Sequence, residues 1–106
     1  MLRGEIWWVS FEKSISGEIR KQRPAIIVSN DAANLHLNRV QLVPITSKVR
    51  LLYPGEAYVV VNGGQRKAMA DQLVTASKER LLRRVGALSR DDMEAVERAI
   101  QVQLGF

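Results

Sequence analysis

The sequence predicts a mainly β (α+β) fold, in which a small, partly closed antiparallel β-barrel is followed by one amphipathic C-terminal helix. Three observations support this prediction. Six short stretches are rich in β-branched and aromatic residues, and irregular polar segments separate them. After Leu88 the apolar residues change to helical spacing. A chain of 106 residues without repeats or linkers is expected to form a single domain, residues 1–106.

The first half of the chain predicts three strands with a long polar loop between the first two. The first strand, Gly4–Phe11, is rich in aromatic residues, and the loop 12–22 that follows is too long for a tight hairpin. Residues 24–28 then form an apolar strand that begins with proline and suits burial on both faces. A short helical turn over 32–38 contains His36, and a third strand covers 39–46, with Pro44 indicating an edge or bulge near its end.

The second half begins with a loop over 47–56 that contains the turn signal Tyr53-Pro54-Gly55. A strand at 57–61, the turn Asn62-Gly63-Gly64 and a return strand over about 67–74 predict a hairpin. A helical turn at 77–81 and a last strand at 82–88 complete the barrel.

The final segment has the signals of an amphipathic helix. Ser89 is a predicted N-cap with Asp92 as its capping-box partner, and Gly105 ends the helix. The apolar residues at helical spacing are expected to pack on the barrel; they are Met93, Val96, Ile100 and Leu104.

Composition excludes several classes of protein. There is no cysteine, and His36 is the one histidine, so a zinc site or disulfide framework is not expected. No apolar run is long enough to cross a bilayer and no signal peptide is recognisable, which favours the cytoplasm. The net charge of +5, from sixteen Lys and Arg against eleven Asp and Glu, favours a polyanionic partner. That partner can be nucleic acid or an acidic protein segment.

The candidate chemical groups are few, and they gather at strand ends. Glu18 and Arg23 lie at the two ends of one loop, and Thr46 and Lys48 lie where the third strand stops. These side chains suit attack of an RNA 2′-hydroxyl on its own adjacent phosphate, a reaction that requires no cofactor. A carboxylate can remove the proton, while a guanidinium, a hydroxyl and an ammonium stabilise the phosphorane.

A series of short motifs, in order along nearly the whole chain, resembles the MazF/PemK/Kid family of bacterial toxins. Each motif is unspecific alone, and their order and spacing together carry the resemblance. They are Arg3–Val9, Gln22-Arg23-Pro24 with the strand ending Ser29-Asn30-Asp31, Val43–Ser47, Tyr53-Pro54, Ala70-Asp71-Gln72, Lys78–Leu81, and the final strand and helix.

The resemblance implies an SH3-like barrel of the CcdB/PemK type that acts as a homodimer. It also implies metal-independent, sequence-selective cleavage of single-stranded RNA, chiefly mRNA, and inhibition by a MazE-like antitoxin with a flexible acidic tail. By position, Arg23 matches the family's catalytic arginine, Thr46 its catalytic threonine, and Glu18 a glutamate of the mobile loop in some members. Lys48 is a looser match, since Arg50 competes for the same role.

Two departures from the family leave the acid–base assignment open. The first loop lacks the histidine of some members, and Met69 stands where some have arginine. A guanidinium does not readily lose a proton, so Arg23 is interpreted as a phosphorane clamp, with Glu18 as the base. Further contacts to RNA are predicted at residues that flank these groups, namely Lys21, Gln22, Lys48 and Arg50. Asp71 and Gln72, from the matching motif, are either RNA contacts or residues that hold strand and loop together by hydrogen bonds.

Two other functions are compatible with a basic barrel. A CcdB-like toxin would bind DNA gyrase without catalysis and would not need Arg23 and Thr46 together. A single-strand binder would need an aromatic platform, and aromatic residues make up only 6% of the chain. Trp7 and Trp8 alternate along a strand, so one is expected in the core and the other is available to stack a base, support a loop or make a dimer contact.

Overall fold

Seven strands and two α-helices make up the part of the chain described by a computed structural model, residues 1–11 and 22–106. The elements are β1 (Glu5–Ser10), β2 (Gln22–Ile27), α1 (Asp31–His36), β3 (Arg39–Thr46), β4 (Glu56–Val61), β5 (Gly64–Met69), β6 (Val74–Ser77), β7 (Leu81–Ala87) and α2 (Arg90–Leu104). Two 3₁₀ turns, Ala70–Gln72 and Lys78–Arg80, flank β6. Glu18 and Lys21 lie outside the described residues.

The strands form one antiparallel sheet in the order β4-β5-β3-β2-β1-β7, and β6 pairs with β3 off that path. The sheet curls into a half-barrel with α2 against it, which confirms the predicted fold class. β1 lies between β2 and β7, and its register with β7 begins at Glu5 opposite Ala87. The strand ends of β2 and β3 that carry candidate residues are therefore held inside a continuous sheet.

Pro44 does not mark an edge strand, because β3 lies inside the sheet. It pairs with Ala25 of β2 on one side. On its other side β3 changes partner, from β6 through Leu42 to β5 from Ile45 onward. Positions 43 and 44 fall in the gap between these two partners. A proline there, which has no N–H, therefore removes no hydrogen bond to β5 or β6.

The apolar run of β2 is buried on both faces, as its composition predicts. Ile26 belongs to a core cluster shared with α2, while Ala25 and Ile27 belong to a second cluster on the opposite face. All three side chains have no exposed surface. Because both faces are packed, the strand is a rigid support for the residue at its start, Arg23.

The β4–β5 hairpin is tighter than predicted, and it makes room for a strand that the sequence analysis missed. Asn62 and Gly63 have φ angles of 50° and 82°, so a two-residue turn joins Val61 to Gly64. The return strand ends at Met69 rather than near 74, and Val74–Ser77 forms β6. Six strands were predicted, and the described residues contain seven.

Helix α2 begins and ends at the predicted residues but differs in two contacts. The Ser89 hydroxyl accepts the Asp92 N–H (3.1 Å), and Gly105 adopts φ 79° at the C-terminus. The Asp92 carboxylate accepts the Val60 N–H (2.9 Å) instead of completing a capping box, so it covers part of the free edge of β4. Leu104 is half exposed and lies outside the core, which takes Ala99 instead. Among the described residues, no helix is long and apolar enough to cross a membrane.

Glu5 ties the N-terminus, β1 and β7 together. Its carboxylate accepts hydrogen bonds from the Leu2 N–H (2.9 Å), the Trp7 indole (3.0 Å) and Arg84 Nε (3.1 Å). Burial raises the pKa of Glu5, but these donors and the N-terminal ammonium lower it by more, so the pKa lies below its ordinary value. A depressed pKa means that the charged form stabilises the fold.

We expect Glu5→Gln to lower the free energy of unfolding by about 1–2 kcal/mol at pH 7, since charge-assisted hydrogen bonds are lost. The Glu5 contribution is complete above the ordinary pKa of 4.5 and is lost as the pH falls through the folded-state pKa. In urea titrations, the difference in the free energy of unfolding between wild type and variant should therefore become smaller as the pH falls through the folded-state pKa of Glu5. Glu94→Gln, which breaks an exposed pair with Arg90, is the control, and an equal effect of both would contradict this role.

Candidate active site

Arg23 and Thr46 lie at neighbouring strand ends. Ala25 pairs with Pro44, and continuing this register by two residues sets Arg23 opposite Thr46. Opposite residues of antiparallel strands project their side chains to the same face of the sheet. The loop end and strand end that the sequence analysis grouped are therefore adjacent in space.

Both residues line one open cleft with a volume of about 570 Å³. The other lining residues come from β1, β2, β3, β5 and the segment after β3. The full set is Trp8, Gln22, Arg23, Pro24, Ile45, Thr46, Ser47, Lys48 and Arg66. Three of these carry a positive charge and no described lining residue carries a negative one, so the cleft suits an anion.

The Thr46 hydroxyl is oriented by the backbone that follows it. Its oxygen accepts the Lys48 N–H at 3.2 Å, which leaves the hydroxyl proton available for another acceptor. The hydrogen bond also turns the chain so that the Lys48 side chain lies at the cleft. No hydrogen bond or ion pair to the Arg23 guanidinium is present in residues 1–11 and 22–106, and this side chain is half-buried.

Trp8 forms the wall of the cleft on the β1 side. Its indole N–H donates to Gln22 Oε1 (2.8 Å), and the Arg83 guanidinium lies 5.7 Å from the ring centroid. Trp7 lies on the other face, packed against the cluster that contains Val9. Neither tryptophan is fully buried. Trp7 packs against a core cluster but is not itself a core residue, so the prediction of one core tryptophan is only partly correct.

Arg66 is a cleft residue that sequence reasoning missed as a site. The β3–β5 register sets Lys67 opposite Thr46, which brings the neighbouring Arg66 to the cleft. Its Nη1 donates to the Gln65 carbonyl (2.8 Å). The turn at Asn62-Gly63 gives the hairpin register, but the pairing of β5 with β3 has no local sequence signal.

Three other predicted contacts are not among the residues that line the cleft. Arg50 is exposed farther along the segment after β3. Asp71 lines a separate depression that also includes Tyr53 and Gln103. The Gln72 amide lies 3.6 Å from Met69 Sδ. In the part of the chain that the structure describes, no three His, Asp or Glu side chains are close enough to share a metal ion.

A family model described as the PemK-like, MazF-like toxin of type II toxin–antitoxin systems matches residues 2–104. The chain belongs to this toxin family. The toxin is 35% identical to endoribonuclease MazF9 of Mycobacterium tuberculosis over an alignment of 113 residues, which covers 98% of this chain and 96% of that protein. It is 43% identical over 72 residues to the probable endoribonuclease MazF1 of the same organism, covering 62% of this chain and 73% of that protein.

Solved structures share the fold of the toxin. One is a mycobacterial endoribonuclease in complex with its cognate antitoxin, with a TM-score of 0.84, 24% identity, and coverage of 100% of this chain and 96% of that chain. Another is a MazE–MazF complex from Deinococcus radiodurans, with a TM-score of 0.84, 23% identity, and the same coverage. These similarities confirm the SH3-like, PemK-type barrel.

Proposed function

We propose that this toxin is a sequence-selective endoribonuclease that cuts single-stranded RNA, chiefly mRNA, and so inhibits translation and growth. The observation that carries the proposal is the convergence of Arg23, Thr46 and Lys48 in one cationic cleft at two strand ends. A gyrase-binding toxin would not require these groups together. The relatives named endoribonucleases support the same conclusion.

The reaction proposed for this cleft uses the RNA's own nucleophile. The 2′-oxygen forms a bond to the adjacent phosphorus and loses its proton, and the bond from phosphorus to the 5′-oxygen breaks as that oxygen takes up a proton. The products are a 2′,3′-cyclic phosphate and a 5′-hydroxyl. No metal ion is needed, because protein cations carry the charge of the phosphorane.

Three cleft residues and Glu18 have proposed roles in this reaction. The Arg23 guanidinium holds two phosphorane oxygens in a forked geometry, and Lys48 adds a point charge. The Thr46 hydroxyl donates its proton in a hydrogen bond to the same group. Glu18, outside the described residues, is proposed as the base that removes the 2′-proton.

Trp8 and the nearby cations suit a single strand beside the scissile phosphate. An aromatic face accepts an unpaired base by stacking, and Arg66 and Arg83 lie where the backbone of that strand would pass. The predicted contacts of Lys21, Gln22, Arg50, Asp71 and Gln72 remain proposals. Of these, Gln22 lies in the cleft, where its bond to Trp8 orients the indole.

The test is incubation of purified toxin with a long RNA in EDTA, followed by mapping of the cut ends. We expect cuts at a short preferred sequence, with a cyclic phosphate on one side and a 5′-hydroxyl on the other. The control is an RNA with deoxyribose at the cut position, which lacks the nucleophile. Intact RNA at high toxin concentration, together with inhibition of gyrase, would instead support the CcdB-like alternative.

The partners proposed for the toxin are a second copy of itself and an antitoxin, within the cytoplasm. A homodimer would be seen as twice the chain mass in light scattering. The antitoxin is expected to be MazE-like, with a flexible acidic tail, because the cationic cleft attracts an acidic segment as readily as RNA. Two structures of similar fold are toxin–antitoxin complexes.

If one cleft serves both partners, the antitoxin and RNA compete. We expect the toxin's affinity for the deoxyribose-containing RNA to fall at least tenfold at saturating antitoxin, and both associations to weaken as salt rises. Fluorescence anisotropy of the labelled RNA measures this directly. Unchanged RNA binding with antitoxin bound would indicate inhibition from a distance.

A further inference from the structure

A buried lysine lies beside Thr46 and makes no contact with the cleft. Lys67 is directly opposite Thr46 in the β3–β5 register and directly opposite Tyr58 in the β4–β5 register. The three residues thus form one row across three strands, with side chains on one face of the sheet. Lys67 is only 7% exposed, which is unusual for a lysine.

The partners of Lys67 lie on the segment between β3 and β4 and at the first residue of β4. Its Nζ forms an ion pair with Glu56 (2.9 Å), where β4 begins, and donates to the Leu51 carbonyl (2.7 Å) of the segment. It also lies 5.6 Å from the centroid of the Tyr53 ring. Its charge is paired with Glu56, and two of its three protons are donated to oxygens outside the cleft.

Tyr58, the third member of the row, holds the same segment at a second point. Its hydroxyl donates to the Val49 carbonyl (2.9 Å). The carbonyls of Val49 and Leu51 are thus fixed to the sheet, while Lys48 and Arg50, which alternate with them, have exposed side chains. The segment is anchored through its backbone and presents its cations outward.

We propose that Lys67 is a positioning residue, which holds the segment 47–55 so that Lys48 stands beside Thr46 and the bound RNA is placed for cleavage. The inference rests on the proposed function, and it adds which residue fixes the position of the cleft wall formed by Ser47 and Lys48. Geometry supports it, because the same row of the sheet carries both the Thr46 hydroxyl and the anchor of the segment that follows it. A misplacement of about 1 Å can cost about 10²-fold in rate, so this anchoring matters for catalysis.

The variant that tests the anchor is Lys67→Met combined with Glu56→Gln. Lys67→Met alone would leave a buried carboxylate without its partner and risk unfolding, whereas the pair removes both charges at similar volume. Tyr58→Phe removes only the Val49 anchor. Lys78→Met is the matched control, since the Lys78 ammonium also donates to a backbone carbonyl, that of Asn34, away from this segment.

Limited trypsin digestion measures the anchor without reference to activity. We expect cutting after Lys48 or Arg50 to be about tenfold faster or more in the double variant, because loss of the two contacts raises the population of the released segment. Tyr58→Phe should show a smaller increase and Lys78→Met none. Equal protection in wild type and double variant would overturn the inference.

RNA cleavage then measures the consequence, at temperatures below the melting point of every variant. We expect kcat/KM to fall about 10- to 100-fold in the double variant and the preferred cut sequence to broaden. For binding of the deoxyribose-containing RNA, the slope of log K against log salt concentration should be the same in the double variant as in wild type. Lys48→Met should reduce the magnitude of that slope by nearly 1, because one phosphate contact is lost. A reduced slope in the double variant would mean that Lys67 itself contacts phosphate, which contradicts a positioning role.

The outcomes of the two assays separate the inference from the function on which it rests. A wild-type toxin that cuts no RNA would overturn the proposed function, whatever trypsin shows. A released segment with unchanged kcat/KM and cut sites would overturn the positioning role while leaving the endoribonuclease proposal intact.

Discussion

Arg23→Ala is expected to lower the rate of RNA cleavage by about 10²- to 10³-fold, by analogy with loss of an oxyanion donor. The guanidinium lines the cleft from the start of a strand that is packed on both faces. Its position relative to the phosphate of a bound RNA is therefore well defined. Within the described residues it has no hydrogen-bond or ion-pair partner to lose. The melting temperature should therefore change little.

Single-turnover cleavage of a short RNA at saturating toxin measures this effect. Arg23→Lys should also be slow, because an ammonium cannot reproduce two parallel hydrogen bonds. Arg39→Ala is the matched control, since Arg39 begins β3 at the end remote from Thr46. A folded Arg23→Ala toxin that cuts at the wild-type rate would remove this residue from the site.

Thr46→Val should lower the cleavage rate by about 10- to 10²-fold, a somewhat smaller loss because a neutral donor is removed. The side chain keeps its shape and β-branching, so the end of β3 is retained. The lost hydrogen bond from the Lys48 N–H is solvent-accessible, which limits the change in the free energy of unfolding to about 1 kcal/mol or less.

The comparison that decides the role of Thr46 is cleavage rate against urea unfolding on the same preparation. Thr46→Ser, which keeps the hydroxyl, should restore most of the activity. Thr75→Val, on the exposed β6, is the control for replacing a strand threonine. Lower stability with normal cleavage would assign Thr46 to packing.

Local signals account for the parts of the fold that the sequence predicted. The apolar run after Pro24, the Asn62-Gly63 turn and the Ser89 cap each act through residues within a few positions of one another. The cleft was foreseen at Arg23 and Thr46 because both lie where a strand meets a polar loop, and because the motifs around them resemble those of the toxin family.

Long-range pairing accounts for what the sequence did not predict. β6 is a short strand with little apolar alternation, and it is stabilised by its register with β3. Asp92 turns from its helix to Val60 because the edge of β4 is close by in space. Arg66 and Lys67 acquire their positions from the β3–β5 register, so no neighbouring residue indicates that one faces the cleft and the other anchors a loop.

The position of β1 between β2 and β7 has a consequence for synthesis of the toxin. β1 receives one of its two partners only after β7 has been made, far along the chain, with Glu5 opposite Ala87. Contacts between such distant residues form slowly, because chain closure must precede them. A nascent chain on the ribosome therefore lacks one side of β1, including the Arg83 contact to Trp8 at the cleft, until β7 has been made. Chains that stop before β7 should therefore have an incomplete cleft wall and little activity.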